Sequence, residues 1–185
     1  MELVTMQKPS LTFALSRLET PIGVALIATD DQGRLRVFDW EDCALRMRRG
    51  LDRIYRESGG VRLDERHGAA WPVRDRLKAF FAGDLAAIDS IPVESAGTPF
   101  QRKCWAVLRK IPAGKTWTYT EVAARAGRPA AVRAAGAANG LNPISVVVPC
   151  HRVIGADGSL TGYGGGMHRK LWLLRHEGVT LKDAA

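Results

Sequence analysis

The sequence has few cysteines, and they are widely spaced. Cys43, Cys104 and Cys150 are the three cysteines of its 185 residues. An odd, dispersed set does not form the disulfide framework of a small secreted domain and fits a reducing compartment. The absence of CxxC pairs and of HxxxH spacing argues against a zinc site. We therefore expect free thiols, no metal and no cofactor.

Long apolar runs are also missing. No stretch approaches the roughly 20 residues that a membrane helix needs, and the N-terminus lacks a basic region followed by an apolar core. The composition, 46% hydrophobic and 25% charged, is that of a globular chain with one domain or two small ones. These features predict a cytoplasmic protein with no membrane partner.

Acidic residues are scarce in the second half of the chain. Residues 96–185 carry 13 Lys and Arg against 4 Asp and Glu, whereas residues 1–95 carry 14 against 15. A basic domain of this kind binds polyanions, because neutralising phosphates releases counterions. A solvated basic surface is the alternative, but the asymmetry between the halves favours a polyanionic partner.

The first half has the pattern of a small sheet with helices. Apolar segments at 11–18, 24–29 and 35–40 are separated by turn residues, which predicts antiparallel strands. Apolar residues at helical spacing predict helices over 41–55 and 71–81. No group of acids, bases or glycines gathers into a site here, so we expect a structural role.

The second half is predicted to be mostly helical. Thr98-Pro99 with Gln101, and Thr118 with Glu121, are capping signatures that start helices. The fold class is therefore α/β (α+β), with a structural N-terminal domain of antiparallel sheet and helices at 1–92. A second, mostly helical domain follows at 93–185.

A helix ending near Gly127 is followed by a second helix, predicted from Arg128-Pro129 to Asn139-Gly140. This is a helix-turn-helix pattern, which also occurs in proteins that never contact DNA. The second helix is almost all Ala and Gly, with Arg133 as its one long cation. Such a surface suits a narrow groove with an inserted arginine, and close helix packing is the alternative. The predicted DNA-binding residues are Thr118, Arg128, Ala131, Arg133, Ala134 and Gly136.

Residues 145–155 contain the candidate nucleophile. The apolar, β-branched run before Pro149 predicts a buried strand, and proline ends it, so Cys150 and His151 lie at its end. Thiolate is the nucleophilic form of cysteine, and a nearby base promotes its formation. The alternative is an inert core cysteine, since free cysteine is often buried.

The flanking motifs are more specific. PCHRVIG has Asn142 eight residues before its cysteine and is followed by GYxGG at 162–166 and RKxWLLRHEG at 169–178. This combination resembles the O6-alkylguanine-DNA alkyltransferases, most closely the bacterial stand-alone methylated-DNA-protein-cysteine methyltransferases. The resemblance is strong over residues 98–178 and faint before them. The first half is therefore assigned to the family mainly because it is joined to the second.

The resemblance implies a single-turnover suicide reaction that repairs DNA directly. The alkyl group of O6-alkylguanine, and of O4-alkylthymine as a second candidate substrate, would pass irreversibly to Cys150. The partner would be alkylated double-stranded DNA. A monomer would bind its minor groove, and the damaged base would be flipped out of the duplex.

The resemblance also implies roles for individual residues. Cys150 would attack, His151 would take its proton through a water, and Glu177 would orient His151. Asn142 would brace the turn, and Tyr119 would donate a proton or hydrogen bond to guanine. A glycine at 164, where some relatives have serine, would leave a roomier pocket. The implied substrate pocket consists of Val153, Tyr163, Gly164 and Lys170.

Three other functions fit parts of the sequence. A lesion-binding module without chemistry would not need Cys150. A helix-turn-helix regulator would need a recognition helix with more side chains to read bases. A cysteine hydrolase could use Cys150, His151 and Glu177, but no oxyanion hole is visible in the sequence.

Overall fold

The computed structural model describes residues 10–66 and 70–180. Its first element is a sheet in which β1 (Leu11–Thr20), β2 (Gly23–Thr29) and β3 (Leu35–Trp40) are antiparallel neighbours. Turn residues at 21–22 and 30–34 separate the strands, as the sequence predicts. Alternating apolar side chains give the sheet one face that packs into the core.

A fourth strand was not predicted. β4 (Val61–Glu65) pairs in parallel with β1, so the sheet is mixed rather than antiparallel, with the order β3-β2-β1-β4. Its sequence, Val-Arg-Leu-Asp-Glu, carries charges at an exposed edge, which protects edge strands but hides the apolar alternation.

The two predicted N-terminal helices are present. α1 (Ala44–Ile54) follows a 3-10 turn at Glu41–Cys43, and α2 is Trp71–Phe81. Each buries its apolar stripe because residues three and four apart lie on one helix face. The buried residues are Met47, Leu51 and Ile54 of α1, and Val73, Leu77 and Phe80 of α2.

Two C-terminal helices begin where the capping signatures predict. α3 (Pro99–Leu108) starts at Thr98, whose side chain accepts from the Gln101 N–H in a complete capping box. α4 (Tyr119–Arg125) starts with the same arrangement. These boxes satisfy N–H groups that the first turn of a helix leaves unpaired.

The next helix begins later than predicted. α5 runs from Val132 to Gly140, and not from Arg128-Pro129. The chain first reverses through Gly127, whose φ is +82°, and through a turn closed by the Ala131 N–H donating to the Arg128 carbonyl. A tight connection between two helices needs these residues outside helical geometry.

The run before Pro149 is not a strand, contrary to the prediction. Its Ile144 forms only an isolated bridge with Phe38, and Val146 has a φ of +69°. A positive φ is a strained conformation for a β-branched residue. An apolar run indicates burial without distinguishing strand from turn. The segment is a buried turn that leads into the 3-10 turn at Cys150–Arg152.

The remaining elements complete the site. β5 (Trp117–Thr118) and β6 (Val153–Ile154) form a short parallel pair, and α6 is Met167–His176. Buried apolar residues of both halves form one continuous core. No helix among residues 10–66 and 70–180 is long and apolar enough to cross a membrane.

The outer edge of β3 connects the two halves. Phe38 donates to the Pro143 carbonyl at 3.0 Å and accepts from the Ser145 N–H at 2.9 Å. Leu35 makes the same kind of pair with Pro92 and Glu94, at 2.8 and 3.1 Å. The proposed boundary at 92/93 therefore falls in a segment that is itself hydrogen-bonded to the sheet.

Candidate active site

Cys150 opens the 3-10 turn directly after Pro149. It is 4% exposed, and its thiol is free. Burial raises the pKa of the Cys150 thiol, and the nearby Asn142, Lys170 and Ser145 oppose this only in part. The resting group is therefore a thiol, and a base must remove its proton for the sulfur to react.

His151 follows Cys150 in the same 3-10 turn. Its ring is fully buried, and Nε2 lies 2.9 Å from Glu177 Oε1. Burial lowers the pKa of His151, although the Glu177 carboxylate opposes the shift. A neutral ring that donates from Nε2 has an unprotonated Nδ1, and this atom is buried without a hydrogen-bond partner. His151 therefore has a buried acceptor nitrogen that no described residue occupies.

Glu177 follows α6 and is 4% exposed. Arg152 donates from Nε to Oε2 at 2.9 Å and from Nη2 to Oε1 at 2.8 Å. Burial alone would raise the pKa of Glu177, but the hydrogen bonds and charges of His151 and Arg152 hold it at about 2. The carboxylate is thus ionised and can stabilise a protonated His151.

Arg152 was not singled out from the sequence. Its side chain is buried, and Nη1 also donates to the Ile111 carbonyl at 2.5 Å. Its place next to His151 in the PCHRVIG motif was the available signal. Its pairing with Glu177 spans 25 residues of chain, and the resemblance gave no role for Arg152 as it did for His151.

Asn142 spans the turn that carries the cysteine. Its Nδ2 donates to the Val148 carbonyl at 2.7 Å, and its Oδ1 accepts from the Ile144 N–H at 3.0 Å. Asn139 on α5 contributes a longer bond, 3.5 Å from Nδ2 to the Cys150 carbonyl. These contacts fit the predicted brace and tie the turn to α5.

Lys170 joins the remaining pocket residues. Its buried Nζ donates to the Val153 carbonyl at 2.6 Å and to the Thr161 carbonyl at 2.9 Å. Burial lowers the pKa of Lys170 to about 8, an effect that the Cys150 sulfur opposes. The Thr161 hydroxyl donates to Tyr119 Oη at 3.1 Å. Lys170 and Tyr119 thus meet through Thr161, while Val153 is bonded to Lys170 directly.

The space beside Gly164 is occupied. A β-carbon placed on this glycine would lie 2.7 Å from Arg46 Nη1. Arg46, from the N-terminal half, fills the space that a serine side chain at 164 would occupy. The glycine therefore does not add room to the pocket at this point. Next to it, the Tyr163 hydroxyl is buried without a hydrogen-bond partner, and burial raises its pKa well above the usual value.

The predicted DNA-binding residues lie on or beside α4 and α5. Arg133 and Ala134 are exposed, and the Arg133 side chain forms no hydrogen bond or ion pair with any described residue. Arg128 is also exposed, with its guanidinium 5.5 Å from the Phe100 ring centre. Thr118 is the N-cap of α4, so its hydroxyl is already engaged. Ala131 and Gly136 are half-buried, and Gly136 lies under the Tyr119 ring.

Residues of the N-terminal half also reach the site, which the sequence did not suggest. Asp39 is 2% exposed, and Arg46 Nη2 lies 2.6 Å from both of its carboxylate oxygens. Burial raises the pKa of Asp39, and Arg46 opposes that shift. Trp40 packs on the loop of Tyr163 and Gly165. In the sequence, Asp39 and Trp40 look only like the end of a strand.

Known proteins share both the site motifs and the rest of the chain. Residues 99–179 match the family model of the 6-O-methylguanine DNA methyltransferase DNA-binding domain. The methylated-DNA–protein-cysteine methyltransferase of Shigella flexneri is 49% identical over 165 residues, covering 89% of this chain and 95% of the relative. The chain belongs to this methyltransferase family. A Salmonella typhimurium relative of the same name is 50% identical with the same coverage.

Solved methyltransferase structures confirm the predicted fold class. The Mycobacterium tuberculosis O6-methylguanine methyltransferase has a TM-score of 0.70 at 35% identity, covering 94% of this chain and 96% of that one. A structure of the M. tuberculosis protein in complex with DNA has a TM-score of 0.71 at 36% identity, covering 90% and 92%. The match includes the N-terminal half, for which the sequence offered no family motif. Relatives named for transfer to cysteine do not favour a protein that only binds.

Proposed function

We propose that this protein repairs DNA by transferring the alkyl group of O6-alkylguanine to Cys150, once per molecule. The observation that carries the proposal is a buried cysteine, Cys150, followed by His151 and Arg152, which both bond to the buried Glu177 and leave His151 Nδ1 without a partner among the described residues. DNA is the partner, as in the complex of the M. tuberculosis relative. The methyltransferase names of the other relatives support the reaction type.

The reaction needs one proton transfer and one displacement. His151 Nδ1 takes the thiol proton through a bridging water, and Glu177 stabilises the imidazolium that results. The sulfur attacks the alkyl carbon, so that an S–C bond forms while the bond from carbon to O6 breaks. The electron pair stays on the purine, which gains a proton or hydrogen bond from Tyr119 as charge develops.

Several neighbours complete the proposed pocket. The Gly164 N–H faces the departing oxygen, and Lys170 supports this side by holding the Val153 and Thr161 carbonyls. Tyr163 forms one wall, and Asn142 keeps the turn in place. The product is a thioether, which no described neighbour of Cys150 is equipped to cleave. Each molecule therefore acts once.

The proposed mode of DNA binding rests on α5. Its exposed surface is small apart from Arg133, so it can approach a minor groove closely and leave this arginine to fill the space of a flipped nucleotide. One such helix per chain requires no second subunit, and we propose a monomer. The domains at 1–92 and 93–185 would divide support from DNA binding and chemistry.

Mass analysis of the protein after incubation with duplex DNA containing O6-methylguanine tests the function. We expect one methyl group per chain, on the Cys150 peptide. Cys150→Ala should abolish transfer while DNA binding remains. Cys104→Ala is the matched control, because Cys104 is also buried but no polar or charged group of a described residue acts on its thiol.

A methyl group on Cys43 or Cys104, or turnover of several substrates per chain, would contradict the proposal. The same experiment with O4-methylthymine decides whether this base is a second substrate. Sedimentation with and without DNA checks the monomer.

A further inference from the structure

Trp40 ends β3 and is completely buried. The Arg169 guanidinium lies 4.6 Å from its ring centre, and the Phe38 ring packs edge-on at 5.4 Å. The indole Nε1 is buried near the Tyr163 hydroxyl and opposes the rise in pKa that burial gives this hydroxyl, but the two groups do not form a well-aligned hydrogen bond. A buried donor without a well-aligned partner is costly, so its position needs an explanation beyond core filling.

The indole packs against the loop of Tyr163 and Gly165, which forms one wall of the proposed pocket. A β-carbon placed on Gly165 would lie 2.5 Å from Trp40 Nε1 and 2.7 Å from Tyr163 Cε1. The tryptophan, the tyrosine ring and the loop backbone are therefore packed with no space between them. Tyr163 cannot move toward the N-terminal half unless Trp40 moves first.

Trp40 is held from two sides. Through Phe38, β3 is hydrogen-bonded to Pro143 and Ser145, just before the cysteine turn. On the other side, Arg169 donates to the Gly165 carbonyl at 2.8 Å while its guanidinium covers the indole. The backbones on both sides of the pocket are thus fixed to the strand and the arginine that hold Trp40.

We infer that Trp40 is a specificity-determining residue that acts through Tyr163 and limits the size of the alkyl group the pocket accepts. This inference rests on the proposed function, because it concerns the same pocket. A close-packed wall resists insertion of extra carbon atoms, and discrimination of one methylene in an apolar pocket is worth about 10-fold to 200-fold in rate. The N-terminal half would thereby set substrate range without touching DNA.

The test compares two substrates in single-stranded oligonucleotides, which removes the cost of base flipping. Rates of single-turnover transfer from O6-methylguanine and O6-benzylguanine are measured by the mass of the Cys150 peptide. In Trp40→Ala, the ratio of the benzyl rate to the methyl rate should rise about tenfold over the unmodified protein. Trp40→Phe, which retains a smaller ring, should give an intermediate ratio and covers the case in which the alanine variant does not fold.

Leu77→Ala is the matched control, since Leu77 is a fully buried α2 residue in the same half of the chain. It should lower thermal stability and leave the rate ratio unchanged. An unchanged ratio in the Trp40 variants, or an equal loss with both substrates, would overturn the inference and leave Trp40 a structural residue. If the unmodified protein does not take the methyl group, the proposed function itself fails, and this inference with it.

Discussion

Replacing Glu177 with glutamine should remove a large part of the stability of this protein. The pKa of Glu177 falls from 4.5 to about 2 because His151 and Arg152 hold its ionised form. One pKa unit corresponds to about 1.4 kcal/mol, so the folded state favours the carboxylate by about 3 kcal/mol. The side chain is 4% exposed, and solvent therefore screens little of this interaction. The variant also leaves the buried Arg152 without its ionic partner.

Urea unfolding at several pH values measures this contribution. A carboxyl group with a depressed folded pKa stabilises the protein fully above its unfolded pKa and loses the effect as the pH falls through the folded pKa. The difference in free energy of unfolding between the unmodified protein and Glu177→Gln should therefore be about 3 kcal/mol at pH 7. It should shrink below pH 4.5 and disappear near pH 2.

Glu65→Gln is the control, because its carboxylate pairs with Arg17 at 2.9 Å but is 66% exposed. Exposed pairs contribute about 0 to 1 kcal/mol, so this variant should barely change stability. A loss below 1 kcal/mol in Glu177→Gln, or a difference that does not change between pH 7 and pH 3, would refute the assignment of Glu177 as an ionised, buried partner.

Three further predictions concern transfer and packing. Arg133→Ala should slow transfer in duplex DNA more than in single strands, and equal slowing in both would count against insertion of the arginine. Since burial lowers the pKa of His151 below 6.5, the transfer rate should not fall between pH 8 and pH 6.5, the range in which Lys170, with its pKa of about 8, gains its proton. A fall to half at pH 6.5 would contradict a buried neutral base. Gly165→Ala should cost about 1–3 kcal/mol in unfolding by urea, because its β-carbon meets Trp40 and Tyr163, whereas Gly140→Ala, with open space around it, should not.

Local signals in the sequence predicted local structure. The two capping boxes place the starts of α3 and α4 correctly, because a cap depends on residues three apart. The turn around Val146 and the late start of α5 were missed, since both depend on backbone conformations imposed by packing. β4 was missed for a related reason. Its pairing with β1 is formed across about 50 residues of chain and leaves no periodic pattern.

The site residues likewise divide into those that the sequence identified and those that only the structure revealed. Cys150, His151 and Glu177 were found from contiguous motifs, and the structure places His151 and Glu177 2.9 Å apart. The resemblance supplied the pairing of His151 with Glu177, but it supplied no role for Arg152 or Trp40, whose contacts are seen only in the structure. A motif records which residue types are present. It does not show which other parts of the chain will contact those residues in the fold.

The edge of β3 explains why the N-terminal half belongs to the site. An uncovered edge strand exposes unpaired N–H and C=O groups and promotes pairing with other chains. Here residues 92–94 and 143–145 cover that edge through backbone hydrogen bonds. The second segment leads directly into the cysteine turn, so the bonds that protect the sheet also fix the position of the turn. A loss of packing in the sheet should therefore reach Cys150 through backbone contacts, even though the proposed transfer step assigns no role to an N-terminal side chain.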